Sequence, residues 1–270
     1  DLPRTHYENQ RWVLFNLDSP LKFERKRELL SQFQAHINWT MSYRNDSDIY
    51  VPYARFVKKP NQNVNSIKIL VDAFMNKTRE IAWFVNDCST ASRRENYVKE
   101  LGKYSQVDIY GICGQFSCPT NGELNCFKLL DFNYKFYLSF EDSLCKDYVT
   151  ENLYEILSLN VIPIIFGSAD YKSLLPQNSY IDALAFKDPF NLSNYLRKIS
   201  TDQSLIRSYL EWKQNFNIYI NDFYFCNLCD KLNANEIKGN RSMKISTVKR
   251  NLVKWFYDES HCTFWSQHYI

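Results

Sequence analysis

The sequence predicts an α/β fold built on a mostly parallel sheet, and three observations predict it. Runs rich in β-branched and aromatic residues alternate along the chain with stretches of helical periodicity. Lys135–Phe140 and Val161–Gly167 are apolar enough to be buried strands. Between them lie a polar loop and a helix, so Lys135–Gly167 reads as the strand–loop–helix–strand unit from which parallel sheets are made.

Taken in order, Trp12–Asp18 reads as a strand that ends on a carboxylate and is stopped by Pro20. Phe23–Ile37 is a charged amphipathic helix with Phe33 and Ile37 on its apolar side. Trp39–Tyr43 and Ile49–Tyr53 are short strands around a turn at Arg44–Asp48, and Lys58–Ser66 is a polar, proline-containing connection. Ile67–Lys77 reads as a helix and Ile81–Asn86 as a strand. Ser92 followed by Glu95 forms a capping box that opens a helix running to Tyr104, with Val98 and Leu101 inward. Val107–Cys113 is the next strand, and Gly114–Asp131 is a cysteine-bearing connection. In the central unit, Thr150 is a good N-cap for a helix whose Leu153, Ile156 and Leu157 share one stripe. Tyr180–Phe186 follows, then helices near Leu192–Ile199 and Ser204–Asn215, and a last amphipathic helix over Ser246–Phe256. Domain boundaries are expected near residues 66 and 245, giving segments 1–66, 67–245 and 246–270.

A chain of 270 residues supports one large domain or two small ones. Six glycines leave no glycine-rich phosphate loop, which excludes the common nucleotide fingerprints. A net charge of +3 is too small to argue for nucleic acid. Val161–Gly167, the longest uncharged apolar run, is far too short to span a bilayer. The even cysteine count of 8 and sequons at Asn38, Asn45, Asn76, Asn191 and Asn240 favour the oxidising secretory pathway. The weaker alternative is a zinc site at Cys226 and Cys229 with His261 and Cys262. Asp46-Ser47-Asp48 has the D-x-D form of manganese-dependent transferases, but its place between two strands reads as turn chemistry. The polar loop of the central unit, leading into a helix N-terminus, is suited to phosphate.

That loop carries a further signal. Phe140-Glu141-Asp142-Ser143 followed by Asp147-Tyr148-Val149-Thr150-Glu151 and then Val161–Gly167 resembles the α1,3-fucosyltransferase signature F-E-N-S-x-x-x-D-Y-[IV]-T-E-K with its V-P-[IV]-x-x-G strand. Asn16–Pro20 resembles the family's N-[LM]-E-S-P, and Asn38–Tyr53 its acceptor-side segment. Ser92–Arg94, Val107–Gly111, Asn251-Leu252 and Lys254–Phe256 extend the similarity over almost the whole chain. The resemblance implies a GT-B architecture: two Rossmann-like domains facing a cleft, GDP-fucose in the C-terminal domain and a GlcNAc-containing glycan (N-glycan core, LacNAc or LacdiNAc) at the N-terminal one. It implies a type II membrane protein of the Golgi lumen, with the anchor and the first acceptor-domain strands upstream of Asp1. No cofactor is implied beyond the donor, and no motif requires a divalent cation.

The resemblance also assigns roles. Asp18 stands where the family has the glutamate base and is one methylene shorter, about 1.5 Å of reach. Arg94 matches the phosphate-binding arginine, with Arg93 the one-residue alternative. Glu141, Tyr148 and Glu151 are retained donor-side residues. Asp142 stands where the family has Asn, and Asn152 where it has the second pyrophosphate cation, Lys. Both departures work against GDP, and together with the shorter Asp18 they leave a relative that binds GDP or glycan with little turnover as the alternative function. The resemblance places Cys88 and Cys145 beside the GDP site, implying that they pair. Cys113 is then expected with Cys118 or Cys126, and Cys226, Cys229 and Cys262 remain for the C-terminal region.

Overall fold

The computed structural model describes residues 7, 10–60, 64–118, 125–220, 224–237 and 251–266. In chain order the first half runs β1 (Val13–Asn16), α1 (Arg27–Phe33), β2 (Trp39–Ser42), β3 (Ile49–Tyr50), β4 (Ala54–Lys58), α2 (Val64–Met75), β5 (Arg79–Phe84), α3 (Arg94–Leu101), β6 (Val107–Tyr110) and α4 (Cys126–Asn133). The second half runs β7 (Tyr134–Phe140), α5 (Glu151–Ser158), β8 (Ile162–Phe166), α6 (Tyr171–Leu174), β9 (Ile181–Asp182), α7 (Pro189–Thr201), α8 (Gln203–Leu210), α9 (Trp212–Asn215), β10 (Phe216–Ile220), α10 (Tyr224–Ile237) and α11 (Leu252–Phe256). These elements form two compact units, one of Asp1–Tyr53, Cys145–Tyr148 and Asn221–Cys262, the other of the remaining residues.

The larger unit is organised on a five-stranded sheet of order β6-β5-β7-β8-β9, parallel throughout. Its strands are apolar because both faces are covered. Every residue of β8 is buried, and β7 is buried at all but one position. Side chains alternate between two cores as strand pleating requires. Ile81, Trp83, Phe136, Leu138, Phe140, Ile162, Ile164 and Phe166 pack with Phe74 of α2 and Tyr97, Val98 and Leu101 of α3. Ala82, Tyr110, Tyr134 and Tyr137 face Leu130 of α4 and Ile156 of α5. Lys77 and Lys213 donate hydrogen bonds to the carbonyls of Asn160 and Leu157, at the C-terminal end of α5.

In the smaller unit β1, β2 and β3 form a parallel sheet. Leu30 and Ile37 pack with Leu252, Trp255 and Phe256 of α11. Arg44 is wholly buried and holds this unit together. It pairs with Asp46 at 2.8 Å, donates to the Ser260 hydroxyl at 3.0 Å and lies over the Trp255 ring at 4.8 Å. No helix among the described residues is long and apolar enough to cross a membrane.

Several expectations change. Phe23–Ile37 is shorter as an α-helix, with a 3₁₀ turn over Glu24–Lys26 ahead of α1. Within Tyr180–Phe186 only Ile181–Asp182 is a strand, because Asp182 turns back to accept from the Leu184 amide at 2.9 Å. Ala54–Lys58 is a strand, antiparallel to β10. Neither partner was legible alone, since each is short and half exposed. Of the helix expected over Ser246–Phe256, the described part begins at Leu252, and 246–250 lie outside the described residues. The capping box is displaced by one residue. Arg93 takes the N-cap place with a left-handed φ of 59°, and Ser92 Oγ accepts from the Arg94 amide at 3.3 Å. The Ser92 amide is already donated to the Asp142 carbonyl at 2.9 Å, so Glu95 accepts from Thr90 instead.

A candidate nucleotide site and its disulfide rim

The parallel sheet predicts where a ligand sits. From β5 the chain crosses to β6 on one side and then back over β5 to β7 on the other, and crevices of open α/β sheets form outside the carboxyl ends of strands at that reversal. A cleft with about 320 Å³ of free space lies there, lined by Phe84, Asn86, Tyr110, Tyr137 and Phe127, with Arg94 and Asn152. Phe84 meets Tyr110 and Tyr137 edge-on at 5.3 and 5.1 Å, giving an aromatic wall. Gly111 is required at its edge. Its φ is +98°, and a Cβ there would lie 2.5 Å from both Asn86 Oδ1 and the Val85 carbonyl.

Arg94 and Asn152 come together in this cleft from the first turns of α3 and α5. One Nη of Arg94 donates to the Phe140 carbonyl, while its Nε–H is buried and makes no hydrogen bond among the described residues. A buried guanidinium N–H without an acceptor is costly, and its charge and donor suit it to an anion. Glu151 is exposed in the same first turn of α5.

Glu141 and Asp142 support these residues from behind. Glu141 is buried and accepts from the Thr150 amide at 2.9 Å and the Thr150 hydroxyl at 3.3 Å. Thr150 occupies the N-cap position, but its side chain accepts no capping bond, and its hydroxyl donates to Glu141. Burial raises the Glu141 carboxyl to about 7, and the Thr150 hydrogen bonds only partly oppose this. Gly167 makes room for the arrangement, since a Cβ there would meet the Tyr171 hydroxyl at 1.9 Å. Asp142 accepts from the Ser143 hydroxyl at 3.0 Å.

The other two predicted site residues belong to the smaller unit. Asp18 is exposed just past the carboxyl end of β1. Its backbone is fixed by Asn16, whose side chain donates to the Asp18 carbonyl at 3.1 Å and accepts from its amide at 3.3 Å. Tyr148 is buried and packs edge-on against Tyr43 at 5.2 Å, beside Cys145 and Cys262. The Tyr43 hydroxyl is buried, with no hydrogen bond among the described residues. Burial raises its pKa, and the charges of Asp147 and Asp18 push the same way.

The carboxylates of Asp46-Ser47-Asp48 are engaged by protein groups. Asp46 takes Arg44 and the Trp255 indole N–H at 2.9 Å, and Asp48 accepts from the Thr40 amide and hydroxyl at 2.9 Å each. No cluster of His, Cys, Asp and Glu suited to a metal occurs among the described residues, and Cys226 and Cys229 are exposed thiols on α10.

The disulfides correct the expected pairing. Cys88 bonds Cys113, Cys118 bonds Cys126 and Cys145 bonds Cys262. Parallel strand pairing explains the first, since β5 and β6 end side by side and the loops leaving them carry Cys88 and Cys113. Cys118, itself a lining residue, is tied to the start of α4. Cys145 is drawn to Cys262 by the backbone around it, because Thr263 donates to the Leu144 carbonyl and Lys146 to the Ser260 carbonyl, each at 2.8 Å. Sequence reasoning also missed the aromatic wall, whose only signal was one aromatic residue in each of three strands, Phe84, Tyr110 and Tyr137.

Comparison with known proteins places the chain. Residues 74–255 match the model of the glycosyltransferase family 10 (fucosyltransferase) C-terminal domain, and residues 1–54 that of the fucosyltransferase N-terminal domain. The chain is 41% identical to the glycoprotein 3-alpha-L-fucosyltransferase A of Drosophila melanogaster over 74% of its own length and 40% of the relative's. It is 36% identical to alpha-(1,3)-fucosyltransferase C of the same organism over 86% of its length and 57% of the relative's. It thus spans about half the length of these curated relatives. A crystal structure of an alpha1,3-fucosyltransferase with GDP-fucose superposes with a TM-score of 0.59 at 15% identity, covering 88% of this chain and 78% of that one, which supports the same GT-B class of fold.

Proposed function

The chain belongs to glycosyltransferase family 10, the fucosyltransferases, and from that premise we propose that it transfers fucose from GDP-fucose to the 3-hydroxyl of N-acetylglucosamine in glycoprotein glycans. The observation that carries this reading is Arg94, which lines a nucleotide-sized cleft at the sheet reversal with a buried, unsatisfied N–H. In the transfer the acceptor oxygen attacks the fucose anomeric carbon as the bond to GDP breaks, with inversion. The electron pair of that bond stays on the diphosphate, where Arg94 and the N-terminus of α5 stabilise it. Asp18 accepts the proton of the acceptor hydroxyl. Glu141 holds the start of α5 through Thr150, and Glu151 and Asn152 face the donor. The aromatic wall suits the nucleoside. No step of this reading passes through a metal. The disulfides fit the oxidising lumen of the Golgi, and the acceptor is an N-glycan core or a LacNAc or LacdiNAc antenna.

A second reading is motivated by Asn152, which lines the cleft without charge where the family has lysine. It is a protein that binds GDP or glycan with little turnover. Transfer of labelled fucose from GDP-fucose to a GlcNAc-terminated or LacNAc acceptor, beside a calorimetric GDP titration, separates the two. Transfer above background eliminates the second reading. GDP binding without transfer eliminates the first, and no GDP binding refutes the assignment of the cleft.

A further inference from the structure

We infer that the segment Thr263–Trp265 is a strap that positions the donor-binding arginine. The inference rests on the proposed role of Arg94. Arg94 is aimed by the turn before α3, and that turn needs external support. Arg93 sits in the left-handed region at φ 59°, where a residue with a Cβ is strained, and its N-cap place lacks a side-chain cap. The support converges on Ser92, which is wholly buried. Its amide donates to the Asp142 carbonyl at 2.9 Å, and its hydroxyl accepts from the Arg94 amide at 3.3 Å. Its carbonyl accepts from the Trp265 amide at 3.0 Å. One residue thus ties the donor loop, the arginine and the strap.

The strap adds two ring contacts to that bond. Phe264 lies under the Arg93 guanidinium at 3.9 Å, which holds the strained residue in place. Trp265 meets Tyr97 of α3 edge-on at 5.2 Å. Tyr97 is buried and donates its hydroxyl to the Ala183 carbonyl at 3.1 Å, so the strap bears on a fixed point. At its other end the strap is secured by the bond from Thr263 to Leu144, next in the chain to the Cys145–Cys262 disulfide. Phe264 is 47% exposed, so its contact with Arg93 covers little apolar surface and serves mainly to set the turn.

The test compares GDP affinity by calorimetry, donor KM, kcat and thermal midpoint in Phe264→Ala, Trp265→Ala, Trp265→Phe and Arg94→Ala. Loss of the strap shifts the guanidinium without removing it, and misplacement on the order of 1 Å costs up to about 100-fold. Trp265→Ala is therefore expected to weaken GDP binding and raise donor KM roughly ten-fold, and Phe264→Ala roughly three-fold, with kcat changed less than KM and acceptor KM unchanged. Trp265→Phe keeps a ring against Tyr97 and should stay within about two-fold of the unaltered protein. If Arg94→Ala weakens GDP binding while Trp265→Ala and Phe264→Ala lower only the thermal midpoint, the strap is merely structural and the inference is overturned. If Arg94→Ala leaves GDP affinity unchanged, the assignment of Arg94 fails and the inference with it.

Discussion

Glu141→Gln gives a stability signature opposite to that of an ordinary buried hydrogen bond. The native carboxyl titrates at about 7 against 4.5 for the free side chain, because burial outweighs the Thr150 hydrogen bonds. A folded-state pKa raised above the unfolded one adds stability that is complete below the unfolded value and is lost as pH rises through the folded value. Between about pH 5.5 and pH 8 this single group therefore withdraws about 2 kcal/mol, on the order of 5 °C in Tm for a domain of this size. Glutamine keeps the shape and still accepts from the Thr150 amide, but it does not titrate. The assay is thermal unfolding of both proteins across that range, read as the difference between their pH slopes so that other groups cancel. The variant should match the unaltered protein at the alkaline end or exceed it, with a shallower acid-to-alkaline fall. Equal slopes, or a variant about 2 kcal/mol less stable at pH 8, would refute the claim that Glu141 is held ionised at a cost.

The other predictions address different parts of the fold. Asn152→Lys places a cation beside Arg94 and should tighten GDP binding roughly ten-fold by calorimetry, the scale of one charge-assisted hydrogen bond. Asp46→Ala leaves the buried Arg44 guanidinium without its carboxylate and should cost about 3 kcal/mol in denaturant unfolding, without dependence on added manganese. Burial lowers Lys213 to about 7, so the unfolded chain binds the extra proton between that value and 10.5 and stability rises with pH across this window. Lys213→Met should flatten that rise in a Tm series. Cys145→Ser opens a cross-link between residues 117 apart and should lower stability by about 5 kcal/mol on the chain-entropy scale.

Much of the site was legible because chemistry and spacing were local. The loop between β7 and α5 could be placed because the apolar periodicity of the strand before it and the helix after it is strong, whereas Arg94 and Asn152 were singled out by the family resemblance. The role of Glu141 could not be read, since its partner Thr150 looked like an ordinary cap until the fold turned its hydroxyl inward. The pairing of Cys145 was misread for the same reason. Proximity of loops around a ligand suggested Cys88, whereas backbone pairing of Leu144 with Thr263 fixes Cys262.

The strand–loop–helix–strand stretch was thus set by the sequence as an α/β unit with a polar loop leading into a helix start, because burial on both faces demands its continuous apolar strands and the loop's polarity keeps it at their carboxyl ends. The tertiary structure decided what that loop is fastened to. Strand order brought Phe84, Tyr110 and Tyr137 into one wall, and the shared partner Ser92 joined Asp142 to Arg94 and Trp265. Apart from Ser92 with Arg94, these contacts link residues that are tens to more than a hundred positions apart, so no local pattern encodes them. They follow from which strands lie side by side, and that is settled by the packing of the whole core.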